Sequence, residues 1–324
     1  MSTSTSRPAA FGFARPTARF VFGWALASLV ANIGIIGTGG AVRLTGSGLG
    51  CPTWPECTSG SVVPHQALGI HGVIEFGNRM LTWVLVVVAI ATLVAVWRSI
   101  RSTRTDRWLA VLLALGIPFQ AVIGGITVLV KLNPWIVSLH FLLSMVLVSI
   151  ATWLVFRTRP NPPLRSPARP ALVLGRYLSV VVYLATWVTI YLGTVVTGSG
   201  PHAGDANAPR NGLAPDNATQ LHADAVFVLI GLAVALAIVA AVLQLTQRRA
   251  TLHFLGLIAL QGVVGVVQYL TDLPLALVII HMLVSAGLLV GATWLILDFG
   301  YTTTGSDDDQ EGDRSPIPAV ADAL

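Results

Sequence analysis

Charged side chains are scarce in this sequence. Asp, Glu, Lys and Arg make up 10% of its 324 residues, whereas hydrophobic residues make up 54%. A soluble chain of this length needs far more charge to cover its surface, so the composition excludes that class and predicts an all-α polytopic membrane protein. Eight apolar runs are long enough to cross ~30 Å of hydrocarbon. They lie near residues 20–40, 70–97, 108–130, 135–156, 177–197, 221–243, 252–270 and 275–297.

Cysteine is almost absent, since Cys51 and Cys57 are the only two. No cluster of thiolates and histidines is visible that would suit zinc, which usually takes three or four such ligands. The pair lies in the loop after the first span, as Cys-Pro-Thr-Trp-Pro-Glu-Cys. In an oxidising compartment this spacing suggests a disulfide. A redox-active thiol pair is the alternative, although the two intervening prolines favour a rigid loop.

Basic residues are concentrated on one predicted side of the membrane. Arginine-rich segments precede span one and join spans two and three, four and five, and six and seven. The opposite side carries only Arg43, Lys131 and Arg210, with Arg79 just inside span two. The positive-inside rule then predicts a multi-pass protein of the plasma membrane with both termini in the cytoplasm. The net charge of +5 reflects these loops, so we expect no nucleic-acid partner.

An internal repeat relates the last third of the chain to an earlier stretch. The matching pairs, 141 residues apart, are Gln120 with Gln261, Gly124 with Gly265, His140 with His281 and Ser144 with Ser285. Each half has an even number of spans, so both halves insert with the same orientation. The prediction is therefore eight transmembrane helices arranged as two four-helix bundles in a parallel repeat.

The expected organisation has five segments. A cytoplasmic N-terminal segment and an N-terminal bundle are followed by a cytoplasmic linker, a C-terminal bundle and an acidic, disordered cytoplasmic tail. In chain order their bounds are 1–19, 20–156, 157–176, 177–297 and 298–324.

Histidines stand at the same end of three predicted spans. They are His140, His222 and His281, and His71 lies at the start of span two. An ionisable group at membrane depth is costly. A single histidine there could simply hydrogen-bond a neighbouring helix, but several at one depth favour a shared function. Heme is the natural candidate, because its macrocycle is apolar and its iron accepts imidazoles from facing helices.

Span two also carries Glu75, Asn78 and Arg79. Residues 71, 75 and 78 share one helix face, and Arg79 lies within ion-pair reach of Glu75. Glu75 is the only acid in the interior of the spans of the first half. Two interpretations stay open at this point. Glu75 either forms a structural ion pair, or faces a reaction chamber where it moves protons or stabilises a developing cation.

These residues resemble the heme A synthase family, the CtaA type of bacteria that is related to the mitochondrial enzyme. The resemblance covers nearly all of spans one to eight. Its most specific part is Gly-Gly-Ala-Val-Arg-Leu-Thr-Gly-Ser-Gly-Leu-Gly-Cys-Pro at 39–52. The segment Ile-Glu-Phe-Gly-Asn-Arg at 74–79, the paired cysteines and the three histidines complete it.

The resemblance implies an oxidoreductase that oxidises the C8 methyl group of heme O to a formyl group. The product, heme A, would serve cytochrome c oxidase. The resemblance also implies a heme b cofactor in the second half, with His222 and His281 as axial ligands. The first half would receive heme O near the outer face, with His140 facing the substrate iron. Glu75 would be the catalytic residue.

The chain departs from the family at one position. The motif in span two commonly reads Glu-x-x-His-Arg, and Asn78 stands where the histidine is expected. Either His140 alone holds the substrate iron, or His71 substitutes from two turns away, about 10.5 Å at ~1.5 Å per residue. We favour the first, since it leaves an open face for oxygen chemistry. Arg79 and Arg43 are the expected partners of heme propionates, because the guanidinium fork suits carboxylates.

Two other classes compete with a synthase. A non-catalytic b-type cytochrome that passes electrons from quinol predicts two bis-histidine hemes, which Asn78 argues against. A transporter with a parallel repeat predicts ionisable groups at mid-membrane, whereas these histidines lie at the edge. The expected partners of a synthase are heme O, an unidentified electron donor and the lipid bilayer. Heme O synthase, cytochrome oxidase assembly factors and a second copy of the chain are further candidates.

Overall fold

The protein is helical throughout its regular elements. The computed structural model describes residues 15–160 and 170–300. Within them, eight helices are long and apolar enough to cross a membrane, which confirms the predicted all-α, multi-pass membrane fold. The helices are α1 (Ala18–Leu44), α2 (Gly69–Arg98), α3 (Arg104–Leu129), α4 (Pro134–Thr158), α5 (Pro170–Ser199), α6 (Pro215–Val242), α7 (Arg248–Leu270) and α8 (Leu275–Gly300).

Helix ends are set by polar and proline caps, so most helices extend beyond the apolar runs that predicted them. The Thr17 side chain caps the N-terminus of α1. Thr103 and Asp106 form a reciprocal capping box at the start of α3. Asn133 caps α4, and Pro134 occupies its first turn, where a missing N–H costs nothing. Hydropathy alone marks the apolar interior of each helix and misses these polar ends.

Neighbouring helices contact each other in two rings. In one, α1, α2, α3 and α4 contact in sequence and α4 returns to α1. In the other, α5, α6, α7 and α8 do the same, and α8 returns to α5. Contacts of α8 with α1 and α4, and of α4 with α5, join the rings. That the rings are bundles related by a parallel repeat stays a prediction.

Three predicted segments lie partly outside the residues that the structure describes. These parts are 1–14 of the N-terminal segment, 161–169 of the linker and 301–324 of the acidic tail.

The loops after α1 and α5 meet at one end of the helices. We call this the cap end and define it by residues 45–68 and 200–214. The Gly48 amide donates to the Gly204 carbonyl oxygen over 2.8 Å. A Cβ atom at Gly48 would lie 3.1 Å from that same oxygen and 2.9 Å from Cδ1 of Leu132, so a side chain here would push the two loops apart. The two loops are therefore joined to each other.

Candidate heme-binding and catalytic site

His222 lies on α6 and its imidazole faces α5. Its Nδ1 is 3.0 Å from the backbone carbonyl oxygen of Thr189. Because a carbonyl only accepts, Nδ1 carries the proton and Nε2 keeps its lone pair. Gly193 lies one turn further along α5, and a Cβ atom there would be 3.3 Å from Cε1 of the ring. Helix α5 thus orients the imidazole through one hydrogen bond and leaves room for it with a glycine.

His281 lies on α8 and its imidazole leans against α7. A Cβ atom at Gly265 would be 3.3 Å from Cε1 of the ring. One turn away on α7, Nε2 of Gln261 donates to the backbone carbonyl of His281 over 3.0 Å. Nδ1 of His281 is buried and has no hydrogen-bond partner among residues 15–160 and 170–300. The imidazoles of His281 and His222 are near enough to interact electrostatically.

His140 repeats the contacts of His281 in the first ring of helices. It lies on α4, and a Cβ atom at Gly124 of α3 would be 3.2 Å from its Cε1. Nε2 of Gln120 donates to the His140 backbone carbonyl over 3.3 Å. Nδ1 of His140 is also buried without a partner in the described part of the chain. The sequence repeat thus reappears as a repeated set of contacts.

Asn78 on α2 faces the preceding helix, as His222 does. Its Oδ1 accepts a hydrogen bond from Oγ1 of Thr38 on α1 over 2.8 Å. An amide oxygen held in this way is a poor ligand for iron. At these matching positions, the first ring therefore presents one imidazole, from His140, and the second presents two.

Glu75 is 5% exposed, and both of its carboxylate oxygens accept hydrogen bonds. Oε1 accepts from Nη2 of Arg79 over 2.6 Å, and Oε2 accepts from the backbone amide of Cys51 over 2.6 Å. Nη2 of Arg79 also donates to the carbonyls of Cys51 and Thr53, over 3.0 and 3.1 Å. The predicted ion pair is present, and it also anchors the first loop to α2.

The predicted disulfide between Cys51 and Cys57 is confirmed. Within the loop that it closes, the indole of Trp54 packs on α3. A Cβ atom at Gly125 would be 2.3 Å from this ring. Gly125 directly follows the glycine that contacts His140. The disulfide loop therefore packs on α3 at the residue after the glycine beside His140.

His71 and Arg43 both have protein partners at the cap end. Nδ1 of the exposed His71 is 2.9 Å from Oγ of Ser47. Nε and Nη2 of Arg43 donate to the carbonyls of His202 and Thr197, over 2.7 and 3.0 Å. Their contact with a porphyrin stays a prediction.

Sequence reasoning missed three parts of this arrangement. The orienting groups Thr189 and Gly193 are a backbone carbonyl and a glycine, which no side-chain pattern reveals. Trp54 lies between the two cysteines, and no sequence pattern predicts that it packs on α3. Gln120 and Gln261 marked the repeat, and their equal spacing to the histidines was the signal that they contact them.

A model of the COX15-CtaA family, described as cytochrome oxidase assembly protein, matches residues 22–293. The chain belongs to this family. Among similar proteins, the heme A synthase of Bacillus licheniformis is 29% identical over 178 residues, 54% of this chain and 57% of that protein. The heme A synthase of Listeria monocytogenes is 26% identical over 185 residues, 55% of this chain and 59% of that protein.

A third relative, the heme A synthase of Staphylococcus epidermidis, is 24% identical over 274 residues. That alignment covers 80% of this chain and 88% of the relative. The chain spans less than two thirds of the length of the first two relatives. Membership of the COX15-CtaA family rests on the family match, which extends from α1 to α8.

Proposed function

We propose that this protein is a heme A synthase, which oxidises the C8 methyl group of heme O to a formyl group. The observation that carries the proposal is the pair of unequal sites within a COX15-CtaA chain. One offers two imidazoles, from His222 and His281. The other offers a single imidazole, from His140, and lies beneath a loop fixed to the buried Glu75. In this proposal, the single ligand leaves one face of the substrate iron open for the oxidation, and the paired ligands suit electron relay.

The second ring fits heme b. The hydrogen bond to Thr189 leaves Nε2 of His222 free to bind iron, and His281 lies on α8, which contacts α5 and α7 in the same ring. No described residues group three or more His, Cys, Asp or Glu side chains into a metal site. A metal that arrives with its own porphyrin nitrogens suits two imidazoles better than zinc does. We propose His222 and His281 as axial ligands, and the bound heme would relay electrons.

In the first ring, His140 is proposed to face the iron of heme O. Trp54 packs on α3 beside Gly125, and Asn78 stays bonded to Thr38. A site with one protein ligand leaves the other face of the substrate iron accessible. The chain thus binds and orients the substrate porphyrin without closing both of its faces.

Glu75 is proposed as the catalytic residue. Hydrogen bonds from Arg79 and from the Cys51 amide hold its carboxylate in one place, and a preorganised charge stabilises a developing cation better than a mobile one. The same carboxylate can take a proton released as the methyl carbon is oxidised. A protonated oxygen accepts poorly, so proton uptake at Oε2 would loosen the bond from Cys51.

We infer that the cap end faces the outside of the plasma membrane. It holds the disulfide, and disulfides persist in oxidising compartments. The described arginines of these segments, from Arg15 and Arg19 before α1 to Arg248 and Arg249 at the start of α7, lie at the opposite helix ends, which the positive-inside rule assigns to the cytoplasm. Heme O would then enter the first ring from the bilayer, supplied by heme O synthase, and heme A would leave for cytochrome oxidase assembly.

The decisive test is porphyrin analysis after expression with a supply of heme O. The unaltered chain should yield heme A. Glu75→Gln should retain heme b with an unchanged spectrum and lower heme A formation at least ~100-fold, as expected for loss of an acid–base group. Glu56→Gln, in the exposed part of the first loop, is the matched control and should make heme A normally.

Two outcomes would contradict the proposal. Normal heme A formation by Glu75→Gln would remove its catalytic role. Two hemes b per chain with no heme A, from the unaltered protein, would instead identify a b-type cytochrome.

A further inference from the structure

In each ring of helices, a glutamine and a histidine that contact each other both have a buried side-chain atom without a hydrogen-bond partner. The two atoms are the amide oxygen of the glutamine and Nδ1 of the histidine. Oε1 of Gln120 and Nδ1 of His140 are buried without hydrogen-bond partners in the described chain. The same is true of Oε1 of Gln261 and Nδ1 of His281. A buried polar atom without a partner is costly, and such atoms are normally paired with protein or with ordered water. The coincidence occurs twice, at the same register of the repeat.

The orientation of each glutamine amide is fixed by its nitrogen. Nε2 of Gln261 donates to the His281 carbonyl, and Nε2 of Gln120 donates to the His140 carbonyl and to Oγ of Ser144. Only the nitrogen can donate, so the amide oxygen is the other atom of the group. The amide oxygen, Oε1, is therefore held near the same histidine, His140 or His281, whose carbonyl the amide nitrogen binds.

The glycines place the imidazole next to the glutamine. Gly124 follows Gln120 by one helical turn on α3, and Gly265 follows Gln261 by one turn on α7. A Cβ atom added at Gly124 or Gly265 would lie 3.2 or 3.3 Å from Cε1, the ring carbon between the two imidazole nitrogens. One face of α3 or α7 thus meets both the ring and the backbone of its histidine.

We propose that Gln120 and Gln261 are positioning residues that fix the tautomer of His140 and His281. In each pair, one bridging water would accept the Nδ1 proton and donate to Oε1 of the glutamine, since these two atoms make no direct hydrogen bond, and Nε2 is left to bind iron. Thr189 does the same for His222 through its carbonyl. Iron-binding histidines usually donate their second ring N–H in this way. This inference rests on the proposed function, which supplies the heme.

An acceptor at Nδ1 has a measurable effect at the iron. It makes Nε2 a stronger electron donor, which stabilises the oxidised iron and the bond to it. Loss of the acceptor should therefore raise the heme reduction potential and weaken heme binding. A stronger acceptor should lower the potential.

The test uses the full-length, heme-loaded protein with Gln261→Leu and Gln261→Glu. We expect Gln261→Leu to raise the midpoint potential of heme b and to speed heme transfer to apomyoglobin about tenfold. Gln261→Glu keeps an acceptor and should lower the potential. It also carries the test if the leucine variant does not fold. Gln120→Leu, the same change at the repeated position, is the control and should leave heme b unchanged.

The result that overturns the inference is an unaltered potential and unaltered heme transfer in both Gln261 variants, while His281→Ala loses heme b. In that case the axial assignment, and with it the proposed function, would stand. Full heme retention by His281→Ala would instead reject the axial assignment itself. Potentials that shift in opposite directions in the two variants would support the positioning role.

Discussion

Asn78 and His222 show how one residue separates two otherwise similar sites. Both contact the preceding helix through a side-chain atom, Asn78 through Thr38 and His222 through Thr189. Only the imidazole has a second ring nitrogen with which to bind iron. Under the proposed function, the difference in the number of iron ligands between the two rings thus depends on a single side chain.

Asn78→His should convert the first ring to a site with two imidazoles. We expect the substrate heme to change from a high-spin to a low-spin optical spectrum. Its dissociation should be at least about tenfold slower, since a second ligand holds the iron. Optical titration with heme O and competition with apomyoglobin measure both effects. Asn217→His, at an exposed position in the first turn of α6, is the control. Identical spectra for the two variants would contradict the assignment of this position.

The first loop is attached to three different helices. Glu75 and Arg79 of α2 hold its backbone, and α1 leads directly into it. Trp54 presses on Gly125 of α3. Because it is fixed at several points, this loop should keep one conformation beside the candidate substrate site.

Gly125→Ala should disturb the packing of the disulfide loop on α3. The added methyl group would collide with the indole of Trp54 and cost about 1–3 kcal/mol, as overpacking typically does. Thermal unfolding in detergent should occur at a lower temperature. Adding Trp54→Ala to the Gly125→Ala variant should restore the unfolding temperature, because the indole with which the methyl group collides is removed. Gly256→Ala, on α7 with nothing within 4 Å of the new methyl group, should not destabilise. No difference between the two alanine variants would show that Trp54 does not dock here.

The sequence predicts the helices well and the contacts between them poorly. All eight spans follow from long apolar runs, and Cys51 and Cys57 follow from their spacing in a loop. The partners of Arg43 do not, because they are backbone carbonyls 154 and 159 residues away. Backbone atoms have no identity in a sequence pattern. The contact of Gln261 with His281 is an intermediate case, since the internal repeat is the only sequence feature that indicates it.

At the scale of the whole molecule, the two candidate sites belong to different rings of helices. His140 contacts α3, whereas His222 and His281 contact α5 and α7. Changes at distant, independent sites are usually additive. The two heme sites should therefore be lost separately.

His222→Ala should remove heme b and leave optical titration with heme O intact. His140→Ala should do the reverse, because each histidine serves only its own ring. Heme extraction and optical spectra of the purified variants give both results. His253→Ala, an exposed histidine at the opposite end of the helices, should alter neither. Loss of both hemes in either single variant would mean that the rings fold or bind as one unit.

The reach of Arg43 has a consequence for biogenesis. Its guanidinium is satisfied by Thr197 and His202, which lie 154 and 159 positions later in the chain. At ribosomal speeds of ~5–20 residues per second, that stretch takes about 8 to 30 s to synthesise. Until α5 and the loop after it have been synthesised, these two acceptors are absent and water hydrates the guanidinium instead. We therefore expect the cap end to close late in membrane insertion.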